Sequence, residues 1–349
     1  MCPLYRTNVV STRGFGDKPF SSYFSFVFWF LSGNNRQNVF NNRKIRDLTY
    51  IRGYVSVIHL IKLFMLSEPG KQVEIFEGRA GALHTGTQFG CVHPSDPKFG
   101  EQFERLTALT GQNAIMAQKL GFNTRVTPVA SFDELEKGKV NGFFRTPEVS
   151  DGVVVSLTGE TLLKVAVMIM NADCGTIEIL APNGEMAVLH GGFDNVDNKD
   201  GTSIVNKAIE YFLGKGFHPK ELKFRMGEAA QACCYGVNNP AFRIQNESRK
   251  ERIVRTYGGD VVRPVKNLPR STNEGIGFDV PLIAAIQADK AGVQEIEVES
   301  LCTSCHGLAS DVMGEADKFG TWYSNLRENP ETTKTKGYGM RNAVVVYPK

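Results

Sequence analysis

No apolar run in this sequence is long enough to cross a bilayer. The most apolar stretch, residues 20–31, has 12 residues, against the roughly 20 a spanning helix needs. Gly-x-Gly-x-x-Gly turns and phosphate loops ending in Gly-Lys-Ser/Thr are absent, which sets aside dinucleotide and nucleoside triphosphate chemistry by the usual loops. Neither sign of charge is in large excess. The 40 Lys and Arg against 37 Asp and Glu leave a net charge of +3, too little to draw the chain as a whole to nucleic acid or membrane. Cysteine is present without the makings of a disulfide framework. The count is an odd seven in a chain of 349 residues, which points to a reducing compartment, here the cytoplasm. Cys302-x-x-Cys305-His306 has no second Cys-x-x-Cys to complete a four-cysteine zinc site and no βαβ context for a redox motif.

What charge there is lies unevenly. Residues 1–72 carry 10 Lys and Arg against 3 Asp and Glu, and the remainder carries 30 against 34. The break, near Pro69-Gly70, separates an N-terminal extension over 1–72 from a single domain over 73–349. The extension reads as poorly ordered chain outside the fold. The alternative for it is an interfacial membrane anchor of basic and aromatic residues. The basic run Arg249-Lys250-Glu251-Arg252 is broken by an acid and reads as a solvated face, without nucleic-acid contact.

From Val73 onward short Val- and Ile-rich runs alternate with turn signals. Residues 153–157 read as a strand, and 163–170 as a strand buried on both faces because its apolar run is nearly continuous. Runs at 177–180 and 186–189 flank Pro182-Asn183-Gly184, a hairpin signal. Ser203 caps a helix whose apolar face is Ile204, Val205, Ala208, Ile209, Phe212 and Leu213, and Asp279 caps another with Pro281 in its first turn. Strands and helices mix without a regular βαβ repeat, so the fold class is α+β.

Two residues that suit metal or nucleophile chemistry fall at the ends of these strands. Cys174 ends the buried strand in Asn171-Ala172-Asp173-Cys174-Gly175. His190 ends the second hairpin strand in His190-Gly191-Gly192. A two-residue Asn183-Gly184 loop sets His190 opposite Ile177. Cys174 then lies three residues further along, roughly 10 Å of backbone, which a bend at Gly175 shortens. A thiol and an imidazole converging there either bind zinc or form a Cys–His nucleophilic pair.

The ordered set resembles a known family. Ala172-Asp173-Cys174, then His190 with small residues after it, then Gly201-Thr202 opening a helix are similar to the centre of the YfiH-like laccase-domain family. Met226 to Val237, Asp279 through Cys302-Thr303, and Ser324, Arg327, Gly339 and Arg341 are similar to its later segments. The resemblance covers about 74–347. It implies a mixed β-sheet sandwich core flanked by helices, and zinc-dependent phosphorolysis of purine nucleosides with phosphate, together with adenosine deamination. It implies Asp173, Cys174 and His190 as catalytic residues, Cys174 and His190 also holding the zinc. Other readings are an impaired homologue acting as a binding or assembly partner, and a copper-dependent polyphenol oxidase, for which six histidines are few. The family's first zinc histidine falls on Leu120 of Gln118-Lys119-Leu120-Gly121, and an arginine suited to phosphate is replaced by Asp194. Glu228 stands where proline is usual. His84 or His93 is the candidate replacement for the missing ligand.

Overall fold

The structure is a computed structural model that describes residues 72–85, 89, 91–138, 143–232, 243–264, 276–299, 302–303 and 341–349. Residues 1–71 of the N-terminal extension, the Cys233-Cys234 pair, Cys305, His306, Ser324, Arg327 and Gly339 lie outside the described residues, while Gln72, assigned to the extension, opens the first strand.

In chain order the elements are β1 (Gln72–Ile75), β2 (Ala80–His84), α1 (Phe99–Thr110), β3 (Ile115–Lys119), β4 (Val126–Pro128), β5 (Glu136–Lys137), β6 (Phe143–Val149), β7 (Gly152–Ser156) and β8 (Ala166–Asn171). There follow β9 (Gly175–Leu180), β10 (Glu185–Gly191), α2 (Phe193–Val196), α3 (Ile204–Gly214), β11 (Lys223–Met226) and α4 (Arg243–Tyr257). The series ends with β12 (Val262–Pro264), β13 (Ile276–Phe278), α5 (Val280–Ala291), β14 (Glu295–Val298) and β15 (Asn342–Pro348). A seven-stranded sheet runs β1-β2-β15-β8-β3-β6-β5, and a six-stranded sheet runs β14-β11-β9-β10-β7-β4. Both are mixed: β3 pairs in parallel with β6 and β8, and β11 with β14, while most other pairs are antiparallel.

The alternation of side chains along a strand explains how these sheets stack. In β8, Val167 and Ile169 enter a core shared with Val153, Val155, Met186 and Val188 of the other sheet. Ala166 and Met168 point the opposite way, against Phe99, Phe103 and Leu106 of α1. On the far side of the six-stranded sheet, Ile177, Ile179, Ala187 and Leu189 meet Val205, Ala208 and Phe212 of α3 and Ile283 and Ala284 of α5. The layers are therefore helix, sheet, sheet, helix. Strands covered on both faces carry the near-continuous apolar runs seen in the sequence, each large aliphatic contributing about 1.5–3 kcal/mol of burial. The expected caps form: the Ser203 side chain accepts from the Val205 amide and that of Asp279 from the Leu282 amide. Among the described residues no helix is long and apolar enough to cross a membrane.

The β9–β10 hairpin departs from expectation by one residue. Its register pairs Met186 with Leu180 and His190 with Thr176, where a two-residue loop would have set His190 opposite Ile177. The Ala181 amide donates to the Glu185 carbonyl at 2.9 Å, so the loop is the three residues Pro182, Asn183 and Gly184. Gly184 sits at φ +86°, the left-handed slot that ends a three-residue hairpin loop. The slip brings Cys174 two positions beyond the residue opposite His190 instead of three.

Candidate functional site

Four chain segments converge at one end of the six-stranded sheet: the turn before β9, the end of β10, the residue before β7, and the loop from β3 to β4. Cys174, partly exposed, immediately precedes β9. His190 in β10 is buried at 2% exposure and Asp151, just before β7, at 0%. The backbone fixes the last two together, since the His190 amide donates to the Asp151 carbonyl at 2.7 Å. Their side chains then meet, His190 Nδ1 to Asp151 Oδ1 at 2.9 Å. The other carboxylate oxygen, Oδ2, accepts from the amides of Gly121 at 3.0 Å and Asn123 at 2.8 Å.

With Nδ1 committed to Asp151, the second ring nitrogen of His190 is the one left to interact with the Cys174 side chain, which acts on the imidazole from close by. Gly192 keeps the space between the two open. A Cβ there would lie 3.2 Å from His190 Cε1 and 3.3 Å from Cys174 Sγ, and only 2.7 Å from Asn195 Oδ1. Burial by itself would depress the His190 imidazole; the Cys174 sulfur and the Asp151 carboxylate outweigh it and raise the group to about 9. Burial pushes the Asp151 carboxyl up, yet the bonds from His190 and the amides of Asn123 and Gly121 hold it below its usual range. The two neighbours thus favour the protonated form of His190 and orient the ring from both sides.

The structure thus joins Cys174 to His190. Asp173 is buried beside them, its carbonyl accepting from the Ala230 amide at 2.8 Å, but the carboxylate on His190 is that of Asp151. The sequence carried a faint signal for it, an acid between Ser150 and Gly152 directly ahead of the Val153-Val154-Val155 run. Leu120 packs against the shared core between the sheets, as its chemistry dictates. His84 is bonded to Glu228 at 3.0 Å, so the Glu228 departure has its own partner. The His93 ring accepts from the Ser95 amide at 3.1 Å. Among the described residues, no group of three His, Cys, Asp or Glu could hold a metal ion.

The expectation of a solvated basic face at 249–252 is corrected in part. Arg249 bonds Asp194 at 2.8 Å and Asp197 at 3.2 Å, and Arg252 bonds Asp197 at 2.6 Å. The Arg249 guanidinium also lies 3.8 Å over the Phe193 ring. Asp194 of α2 and Asp197 just after it draw these arginines inward, so their charge is already compensated.

Residues 102–309 match the family model described as multi-copper polyphenol oxidoreductase laccase, which is more than half of the chain. The chain belongs to this laccase-domain family. Its fold is also that of solved structures. The Bacillus licheniformis hypothetical protein YfiH superposes with a TM-score of 0.57 at 14% identity, over 80% of this chain and 97% of that one. YlmD from Geobacillus stearothermophilus gives 0.50 at 18% identity, over 77% and 91%. A Neisseria meningitidis protein gives 0.50 at 14% identity, over 78% and 95%. At these identities the likeness speaks for the fold of the laccase domain alone. No protein of curated function is matched by the chain.

Proposed function

We propose that this laccase domain is a purine nucleoside enzyme, attacking adenosine-type substrates with phosphate or water at the site of Cys174 and His190. The observation that carries the reading is the suspension of His190 between Asp151 and Cys174. Phosphorolysis of a nucleoside forms a bond from a phosphate oxygen to C1′ and breaks the bond from C1′ to the purine, which leaves with a proton. Deamination adds water at C6 and expels ammonia, again with proton transfer. An imidazolium with a rigid carboxylate behind it is the proton donor both reactions need. We assign Cys174, the partly exposed member of the trio, to the substrate side.

A catalytic zinc takes three protein ligands and leaves one position open, and this site offers one sulfur and one nitrogen. It does not fit a complete zinc centre, because the position that matches the family's first zinc histidine is Leu120, whose side chain has no donor atom. No step is assigned to a metal. Copper oxidation of phenols, named in the family's description, has a single histidine to draw on here. Zinc as purified should therefore be substoichiometric, and Cys174→Ala should remove what is bound. Leu120→His should raise occupancy several-fold by supplying the third donor. Elemental analysis of the three proteins checks this, and full zinc in the wild type would show that a further donor completes the site.

The function itself is tested by supplying adenosine with phosphate and following adenine, ribose phosphate and inosine. Turnover lost in His190→Gln supports the reading. No product from well-folded wild-type protein would replace it with that of an impaired homologue serving as a binding partner.

A further inference from the structure

Phe122 is the least economical residue in the described chain. Its side chain is 62% exposed, and its backbone is held at φ +54°, a left-handed conformation that bulky residues rarely adopt. The Asp151 carboxylate enforces it, gripping the amides on either side of Phe122, those of Gly121 and Asn123. The same carboxylate orients His190, and the Phe122 ring stands 5.7 Å from the imidazole, tilted by 59°. One side chain thus sets the acid and the aromatic plate in fixed relation. Strain of this kind gathers at ligand sites, where the rest of the structure over-determines it.

A second observation lies next door. An open groove of about 570 Å³ begins at Asn123 and runs past Thr124, Arg125, Lys207 and Tyr211, a size that suits a small-molecule ligand. Its lining combines the side chains of Asn123, Thr124, Arg125, Lys207 and Tyr211 with the apolar Val126. Among the described residues Arg125 and Lys207 form exposed ion pairs with Glu148 and Glu210, which cost little to open.

We infer that Phe122 is the specificity-determining wall of the site, stacking on the purine base while the groove from Asn123 to Lys207 takes the ribose and an anionic oxygen. The inference rests on the purine reading above and adds to it the residue that selects a flat heterocycle. Stacking on an exposed ring is indifferent to the base's hydrogen-bonding edge, so purines should be preferred over the smaller pyrimidines and distinguished little from one another.

The test separates this role from a structural one. Phe122→Gly relieves the left-handed strain and is expected to raise the thermal midpoint by a degree or more, while weakening adenosine binding about 5- to 150-fold, the range for loss of one base–aromatic stack. Phe122→Trp should bind adenosine at least as tightly as wild type. Binding is read by calorimetry with adenosine and with cytidine, independently of turnover. Wild-type affinity in Phe122→Gly, failure of the wild type to bind adenosine, or equal affinity for cytidine overturns the inference. Tight, Phe122-dependent adenosine binding without turnover keeps the inference and removes the enzyme reading. Turnover with a KM unchanged in Phe122→Gly does the reverse.

Discussion

Replacing Arg225 with methionine is expected to destabilise the fold by about 3–5 kcal/mol, the range for stripping one partner from a buried ion pair. Arg225 in β11 is 4% exposed. It reaches Glu178 of β9 and Glu299 at 3.0 Å each, and Glu228 stands in the same field. Without it the three buried carboxylates of Glu178, Glu228 and Glu299 lose the guanidinium they share. The loss should depend on pH. Burial, partly offset by Arg225, pushes Glu178 up to about 7, and Glu299 is raised for the same reason. A carboxyl whose folded value is raised contributes stability that is fully present below its unfolded value and is lost as pH rises through the folded one. The window is therefore from the usual carboxylate range up to about 7 for Glu178. Glu228 runs the other way. Burial would raise it, but its bond to His84 and the charge of Arg225 hold it down, so its share is lost as pH falls. With Arg225 gone, protonation relieves the remaining acids, and the deficit should be smaller at acidic than at alkaline pH. Urea midpoints followed by circular dichroism on both sides of neutrality measure this. An equal deficit at both pH values would be evidence against charge burial as its cause. Adding Glu178→Gln and Glu299→Gln should restore much of the stability, since neutral groups need no counter-ion.

Asp151→Asn is expected to lower kcat about 10³–10⁴-fold, by analogy with the same change behind a catalytic histidine in a serine protease. The carboxylate here accepts three bonds: one from His190 and two from the amides of the Phe122 loop. Asparagine keeps one oxygen for the amides and offers an NH₂ toward His190. That NH₂ must donate to Nδ1, which fixes the neutral tautomer and takes away the imidazolium. The loop bonds survive, so the fold and adenosine binding should change little while turnover falls. A kcat within a few-fold of wild type would exclude His190 as the proton donor. A collapse of the thermal transition would instead show Asp151 to be mainly a loop anchor.

Much of the architecture was legible because it follows from periodicity. The Ser203 and Asp279 caps, the apolar face of α3 from Ile204 to Phe212 and the both-sides-buried β8 were all written in residue order, while Leu213, expected on that face, is exposed because it falls at the helix's last turn. Cys174 and His190 were legible as strand-end residues flanked by glycine. The register of β9 and β10 was not, since Asn183-Gly184 serves a two-residue loop as readily as a three-residue one. Asp151 was hidden because a single acid before a strand usually means a turn. Its role appears only when β7 and β10 lie side by side. The same holds for Arg225 with Glu178, Glu228 and Glu299, which looked like ordinary polar positions on separate elements. Pairing between distant segments is a property of the folded chain that local pattern does not encode.

Strand β15 has a consequence for how the protein comes into being. It holds residues 342–348, yet it lies inside the seven-stranded sheet between β2 and β8. On the ribosome, β9, β10 and β7 can zip together soon after they emerge, because their partners are near in sequence. The other sheet can pair β1 with β2, and β3 with β6 and β8, but it cannot join these two pieces. Until β15 arrives, β2 and β8 each present an unpaired edge, the kind of surface on which nascent chains stick to one another. The half of the sandwich that carries Cys174 and His190 is thus made early, and the half that backs it waits for the last strand, which leaves a translation-length interval in which chaperone protection matters most.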